Sequence, residues 1–184
     1  MALPPTIYRA TLQLSDVDRD CYQTLTVTVA QHPSETPERL VARLLAFALC
    51  YEEGLVFSRG ISSGDEPDLW LKGADGRVLL WVEVGLPDVE RLVKAARHAE
   101  QVILLTCGKG RPRWEAAHLP RLAAVQNLTV LGLDSLFLQE VTTRLQRSIA
   151  WDLTITEATL YLTLGGQTLE TAVTTLTAGG HHGR

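Results

Sequence analysis

A glutamate stands inside a nearly continuous apolar run, Val78-Leu79-Leu80-Trp81-Val82-Glu83-Val84. Such a run is the pattern of a central strand buried on both faces, where an unpaired carboxylate is very costly. Something must satisfy Glu83. An arginine or a backbone amide would do so, and so would a hard cation shared with a second carboxylate. Asp68 is a candidate for that second carboxylate, because it opens the short stretch Asp68-Leu69-Trp70-Leu71 just ahead of the Gly73–Gly76 turn into Val78. If the two stretches pair as a hairpin, the start of one lies beside the end of the other. Two clustered carboxylates suit Mg²⁺, which takes one or two protein carboxylates and keeps waters and phosphate oxygens for its remaining positions. Glu38 adds a third acid. At about 100° per residue, Val41, Ala42, Leu45 and Leu49 fall within roughly 60° of its direction, so it projects from an apolar stripe. A first-turn glutamate favoured by the helix dipole accounts for it equally well.

Other chemistry finds little support. Gly60-Ile-Ser62-Ser-Gly64 has the spelling of a hydrolase nucleophile turn, but Asp65-Glu66-Pro67 follows where a helix is needed. Gly108-Lys109-Gly110 follows a strand, yet Arg113 stands where a dinucleotide fingerprint needs its third glycine. The five histidines and three cysteines form no zinc spacing. Arg91, Lys94, His98, Lys109, Arg111 and Arg113 could touch phosphates, although the stripe Leu92, Ala95, Ala96 and Ala99 centres about 150° from Lys94 and turns it, with Arg91 and His98 flanking it on that side, toward solvent or a cleft edge.

The elements that must position these residues read as α/β, with α+β character at the termini. Thr6 to Leu14 and Leu25 to Val29 alternate as a hairpin, and Thr36 can cap a helix that Pro37 opens and Gly54 closes. Leu55 to Arg59 and Asp68 to Leu71 are short strands. Val78 to Val84, a helix from Asp88 to Glu100, and Val102 to Thr106 form a βαβ unit with parallel strands. A helix from Pro112 to about Ala124 is interrupted at Pro120, Leu128 to Leu133 is a buried strand, and Ser135 to Leu145 is helical. Ile149 to Ile155, Thr159 to Leu164 and Thr168 to Leu176 alternate as antiparallel strands. The expectation is one domain over residues 1–184 with a mixed central sheet flanked by helices. The 184 residues are 46% hydrophobic and 21% charged with a net charge of −4, which excludes disorder and removes any global attraction to nucleic acid. No stretch nears the roughly 20 apolar residues of a membrane span, and Cys21, Cys50 and Cys107 are read as thiols in a reducing compartment, so a cytoplasmic location is expected.

Glu38 on a first helix, Pro67-Asp68, Glu83, and Lys94 on the next helix together resemble the PD-(D/E)XK nuclease superfamily. More closely, Thr6-Ile-Tyr-Arg-Ala10, His32-Pro-Ser-Glu-Thr-Pro-Glu-Arg39, Ser58-Arg-Gly60, Asp65-Glu-Pro67 and Glu83-Val-Gly-Leu-Pro-Asp88 resemble YaeQ proteins along most of the chain. The resemblance implies a restriction-endonuclease-like core in a bacterial, cytoplasmic protein. It makes Asp68 and Glu83 the metal-binding pair and Glu38 the helix acid that assists them. The pattern asks for lysine two residues after Glu83, where this chain has Gly85, and Lys94 is the natural substitute. The function implied is a Mg²⁺-dependent nucleic-acid phosphodiesterase. The alternative is a non-catalytic protein that binds nucleic acid or a protein of the transcription machinery.

Overall fold

The computed structural model describes residues 4–58 and 66–178, and these form eleven strands and four helices. The Gly60 to Gly64 turn and the last six residues, 179–184, lie outside the described residues. Internal contacts divide the chain into two units, Met1–Leu44 with Leu133–Thr174, and Leu45–Gly132 with Thr175–Arg184.

The N-terminal hairpin is as expected. Strands β1 (Thr6–Asp16) and β2 (Cys21–Gln31) pair antiparallel with Leu12 opposite Leu25. Helix α1 (Pro37–Leu49) follows, and Thr36 accepts the Arg39 N–H on its hydroxyl at 3.2 Å while Pro37 takes the first helical position. All residues from Leu40 to Ala48 are buried, Arg43 included.

The second unit then begins. Strands β3 (Val56–Phe57), β4 (Leu69–Lys72) and β5 (Val78–Val84) are antiparallel neighbours. Helix α2 (Val89–His98) crosses to β6 (Ala99–Thr106), parallel to β5, and α3 (Arg111–Leu122) crosses to β7 (Leu128–Gly132), parallel to β6. The βαβ unit therefore has the predicted direction. Trp81, Leu104 and Val130 line one sheet face under Val89, Leu92 and Ala95 of α2 and Leu122 of α3. Pro120 does not interrupt α3; it sits exposed two residues from the last, and Ala116, whose carbonyl loses its helical partner, is exposed to water as well.

The first unit is completed by α4 (Ser135–Thr143), β8 (Ser148–Thr156), β9 (Thr159–Leu164) and β10 (Gln167–Ala172), and β11 (Thr174–Ala178) returns to the second. The single mixed sheet expected from the sequence is replaced by two, ordered β10-β9-β8-β1-β2 and β11-β7-β6-β5-β4-β3. The stretch read as one strand, Thr168 to Leu176, is divided between them. At the break Val173 gives its N–H to the Ala158 carbonyl at 2.7 Å. Alternation reports which residues face a core, not which strand is the neighbour, so it cannot reveal a change of sheet. Among the described residues no helix is long and apolar enough to cross a membrane.

Candidate functional site

The β4–β5 hairpin brings two of the predicted carboxylates together. Leu69 opposes Val82, so the next step of the register sets Asp68 against Glu83 on the same face. Backbone bonds fix Asp68 on both sides: its N–H donates to the Val82 carbonyl, and its carbonyl accepts the Ser58 N–H, each at 3.0 Å. Both acids are buried, Asp68 at 5% and Glu83 at 4% exposure.

Each has donors. Asp68 Oδ2 accepts the Val84 N–H at 2.8 Å. Glu83 Oε1 accepts from Trp81 Nε1 and from Arg91 Nε and Nη2, all at 2.8 Å. Arg91 Nη2 also donates to the Glu66 carbonyl at 2.7 Å, which ties α2 to the residues leading into Asp68. Arg91 was expected to point outward beside Lys94. Instead its flexible stem returns the guanidinium to the sheet. Burial pushes the Glu83 pKa above the ordinary glutamate value; Arg91 and Trp81 pull it back, and the Asp68 charge pushes it further up.

The missing lysine has a backbone cause. Gly85 adopts φ +112°, a region that L side chains rarely enter, and its N–H donates to the Leu105 carbonyl at 3.0 Å. A lysine there would be strained on this backbone. Lys94 lies exposed on α2, whose Val89, Leu92 and Ala95 face inward. Glu38 is half-buried in the first turn of α1, in the other unit.

For a metal ion the fit is that of a pair. Among the described residues no group of three or more His, Cys, Asp and Glu side chains could hold an ion. Two facing carboxylates nevertheless match the one or two that Mg²⁺ takes from proteins. All these donors to Glu83 land on Oε1, so Oε2 is the Glu83 oxygen an ion would meet.

Two other ion-pair clusters escaped the sequence reading. Glu35 is buried against Arg39 at 2.8 Å and Arg43 at 3.1 Å. Its signal was present as Glu35, Arg39 and Arg43, spaced by four along the helix entry. Arg111 pairs with Glu115, which also accepts the Thr106 hydroxyl at 2.9 Å. The Arg111 guanidinium lies where a side chain at Gly132 would stand, so this cation is committed to the fold.

Comparison with known proteins supplies the lineage. The family model described as YaeQ protein matches residues 1–173. The "Uncharacterized protein YaeQ" of Escherichia coli K12 and that of Salmonella typhi are each 36% identical over 175 residues, covering 95% of this chain and 97% of theirs. Among solved structures, the YaeQ protein of Pseudomonas syringae is similar at 40% identity and TM-score 0.91, covering 99% of this chain and 100% of that one. The YaeQ protein of Xanthomonas axonopodis pv. citri is similar at 35% identity and TM-score 0.90, covering 95% and 99%. The chain belongs to the YaeQ family.

Proposed function

We propose that the chain is a Mg²⁺-dependent phosphodiesterase acting on nucleic acid in the cytoplasm, built on a restriction-endonuclease-like core. The observation that carries this reading is the buried Asp68–Glu83 pair, set side by side by the β4–β5 register, with the partly exposed Arg91 guanidinium on Glu83. Asp68 and Glu83 hold the ion. The ion, when bound, polarises the phosphate and lowers the pKa of its water. With Gly85 in place of lysine, the cationic role falls to α2. Arg91 already stands at the carboxylates and would turn its fork to a phosphate oxygen as the ion arrives, while Lys94 assists the water from the outer side.

A second reading is favoured by the donors themselves. Val84 N–H, Trp81 and Arg91 satisfy the pair without any metal, as they would in a non-catalytic protein that binds nucleic acid or a partner linked to transcription. One experiment separates the two. Purified protein is incubated with a panel of DNA and RNA substrates in Mg²⁺ or EDTA, beside Asp68→Asn. Cleavage that needs Mg²⁺ and disappears in Asp68→Asn is expected. Binding without cleavage, indifferent to EDTA and to Asp68→Asn, overturns the first reading in favour of the second.

A further inference from the structure

Among the described residues, the first half of β8 has a strand on one side only. Arg9 donates its N–H to the Arg147 carbonyl at 2.9 Å, and Val17 donates to the Ile155 carbonyl at 2.8 Å. Odd-numbered residues here thus turn their backbone groups toward β1, and even-numbered ones turn them away. From Asp152 onward those outward groups meet β9, whose Thr163 lies opposite Asp152. The chain then leaves the line. Gly165 and Gly166 adopt φ +56° and +78°, and β10 folds back along β9. Ser148 and Ala150, both exposed, present N–H and C=O groups where β9 would have continued, and no described strand pairs with them there.

A cleft of about 390 Å³ runs along this edge. Ile149, Trp151 and Leu164 form its apolar part, and Arg144, Gln146 and Gln167 its polar rim.

We propose that this edge takes an extended, acidic peptide from a partner protein as an added strand, antiparallel to β8 in continuation of β9. Alternating outward donors and acceptors are matched in register by another extended backbone, which a compact small molecule cannot supply. A peptide residue opposite Ile149 shares its face, so its side chain enters the cleft over Trp151 and Leu164. The charge fits an acidic flank. Arg144 rims the cleft and Arg147 stands at the strand start, with Arg9 across β8 on β1, against Glu140, which is bound to Arg144 at 2.7 Å, and Asp152 further along.

The test is selection of a displayed library of short random peptides on the full chain, with counter-selection on Ala150→Pro. Proline at 150 deletes the N–H that points to the open edge and leaves the bonds to β1 intact. Enriched peptides should alternate apolar and acidic residues, and synthesised copies should bind Ala150→Pro roughly tenfold more weakly at an unchanged melting temperature. Should that variant melt early, amide exchange in the unaltered chain decides: a bound peptide must slow the Ser148 and Ala150 amides. The proposal is overturned by no enrichment, by peptides that bind both chains alike, by exchange at these amides that peptide does not slow, or by a chain that dimerises through this edge in sedimentation.

Discussion

Glu35 and Glu83 are both buried and both answered by arginine, and they are answered differently. Glu35, whose side chain is 0% exposed, meets two guanidiniums, and Arg43 gives a further bond to the Ala30 carbonyl at 3.3 Å. Glu83 meets one, on a side chain 30% exposed, and shares its surroundings with Asp68. The first cluster sets two guanidiniums on one carboxylate. The second sets one guanidinium on Glu83 with another acid, Asp68, beside it, and burial first, then the Asp68 charge, raises the Glu83 pKa. A closed cluster fixes a structure, whereas a buried glutamate with a raised pKa and a second acid beside it is where a proton or a cation is most readily taken up.

The comparison breaks most easily at Glu35. Replacing it with alanine leaves Arg43 buried with its main partner gone, so urea unfolding should show a loss of about 3–5 kcal/mol. A loss under about 1 kcal/mol would mean that the cluster is wetter than its burial indicates. Arg91→Ala should cost less, about 1–3 kcal/mol, because the guanidinium is partly solvated and Trp81 still donates to Glu83.

Acid sharpens the contrast. A glutamate with a raised folded pKa binds a proton more readily folded than unfolded, so its contribution to stability is present below the unfolded value of about 4.5 and is lost as pH rises through the folded pKa. Glu83→Gln lacks that contribution. With Arg91 in place it should be destabilising at neutral pH, and the wild-type advantage should widen as pH falls from 7 toward the ordinary glutamate range. Paired urea titrations across that range measure it, and a gap that narrows on acidification would mean the Glu83 pKa is lowered instead.

Much of this was legible. The apolar run around Glu83 gave the central strand, and the turn at Gly73 to Gly76 gave the hairpin that sets Asp68 beside it, because strand period and turn residues are local signals. The destination of Arg91 was not legible: helical angle places a Cα, but a long side chain can return to a buried charge. The division of Thr168 to Leu176 between two sheets was hidden for the same kind of reason, since partner choice is non-local. Gly85 was read only as a missing lysine, and its positive φ shows what the backbone required there.

Magnesium provides the next, smaller effect. With an assumed dissociation constant of about 1 mM, about 10 mM Mg²⁺ should raise the unfolding free energy by RT ln 11, about 1.4 kcal/mol, and should do little for Asp68→Asn. The Glu35 cluster should be indifferent to the ion, so Glu35→Ala should keep the full increment. Equal responses in wild type and Asp68→Asn would remove the distinction between the two clusters as far as cations are concerned.

The smallest expected effect lies on one helix, three residues from one of the larger ones. Lys94 and Arg91 share α2 and the same charge, yet Lys94 is exposed while Arg91 reaches Glu83. Lys94→Ala should change stability by no more than about 0.5 kcal/mol, as for other surface substitutions. The bond between His98 Nδ1 and the Lys94 carbonyl, at 2.7 Å, involves only the Lys94 backbone and survives the change. The Mg²⁺ increment should also survive, because an ammonium on the outer side of α2 neither supplies a ligand nor competes for the carboxylates. Arg91→Ala should enlarge that increment, since the ion then replaces the missing guanidinium as the counter-charge of Glu83. Thermal melts of the two variants with and without Mg²⁺ read both outcomes together. If Lys94→Ala reduced the Mg²⁺ response as much as Asp68→Asn, the lysine stem would have to fold back as Arg91 does, and the cationic role on α2 would belong to both residues rather than to Arg91 first.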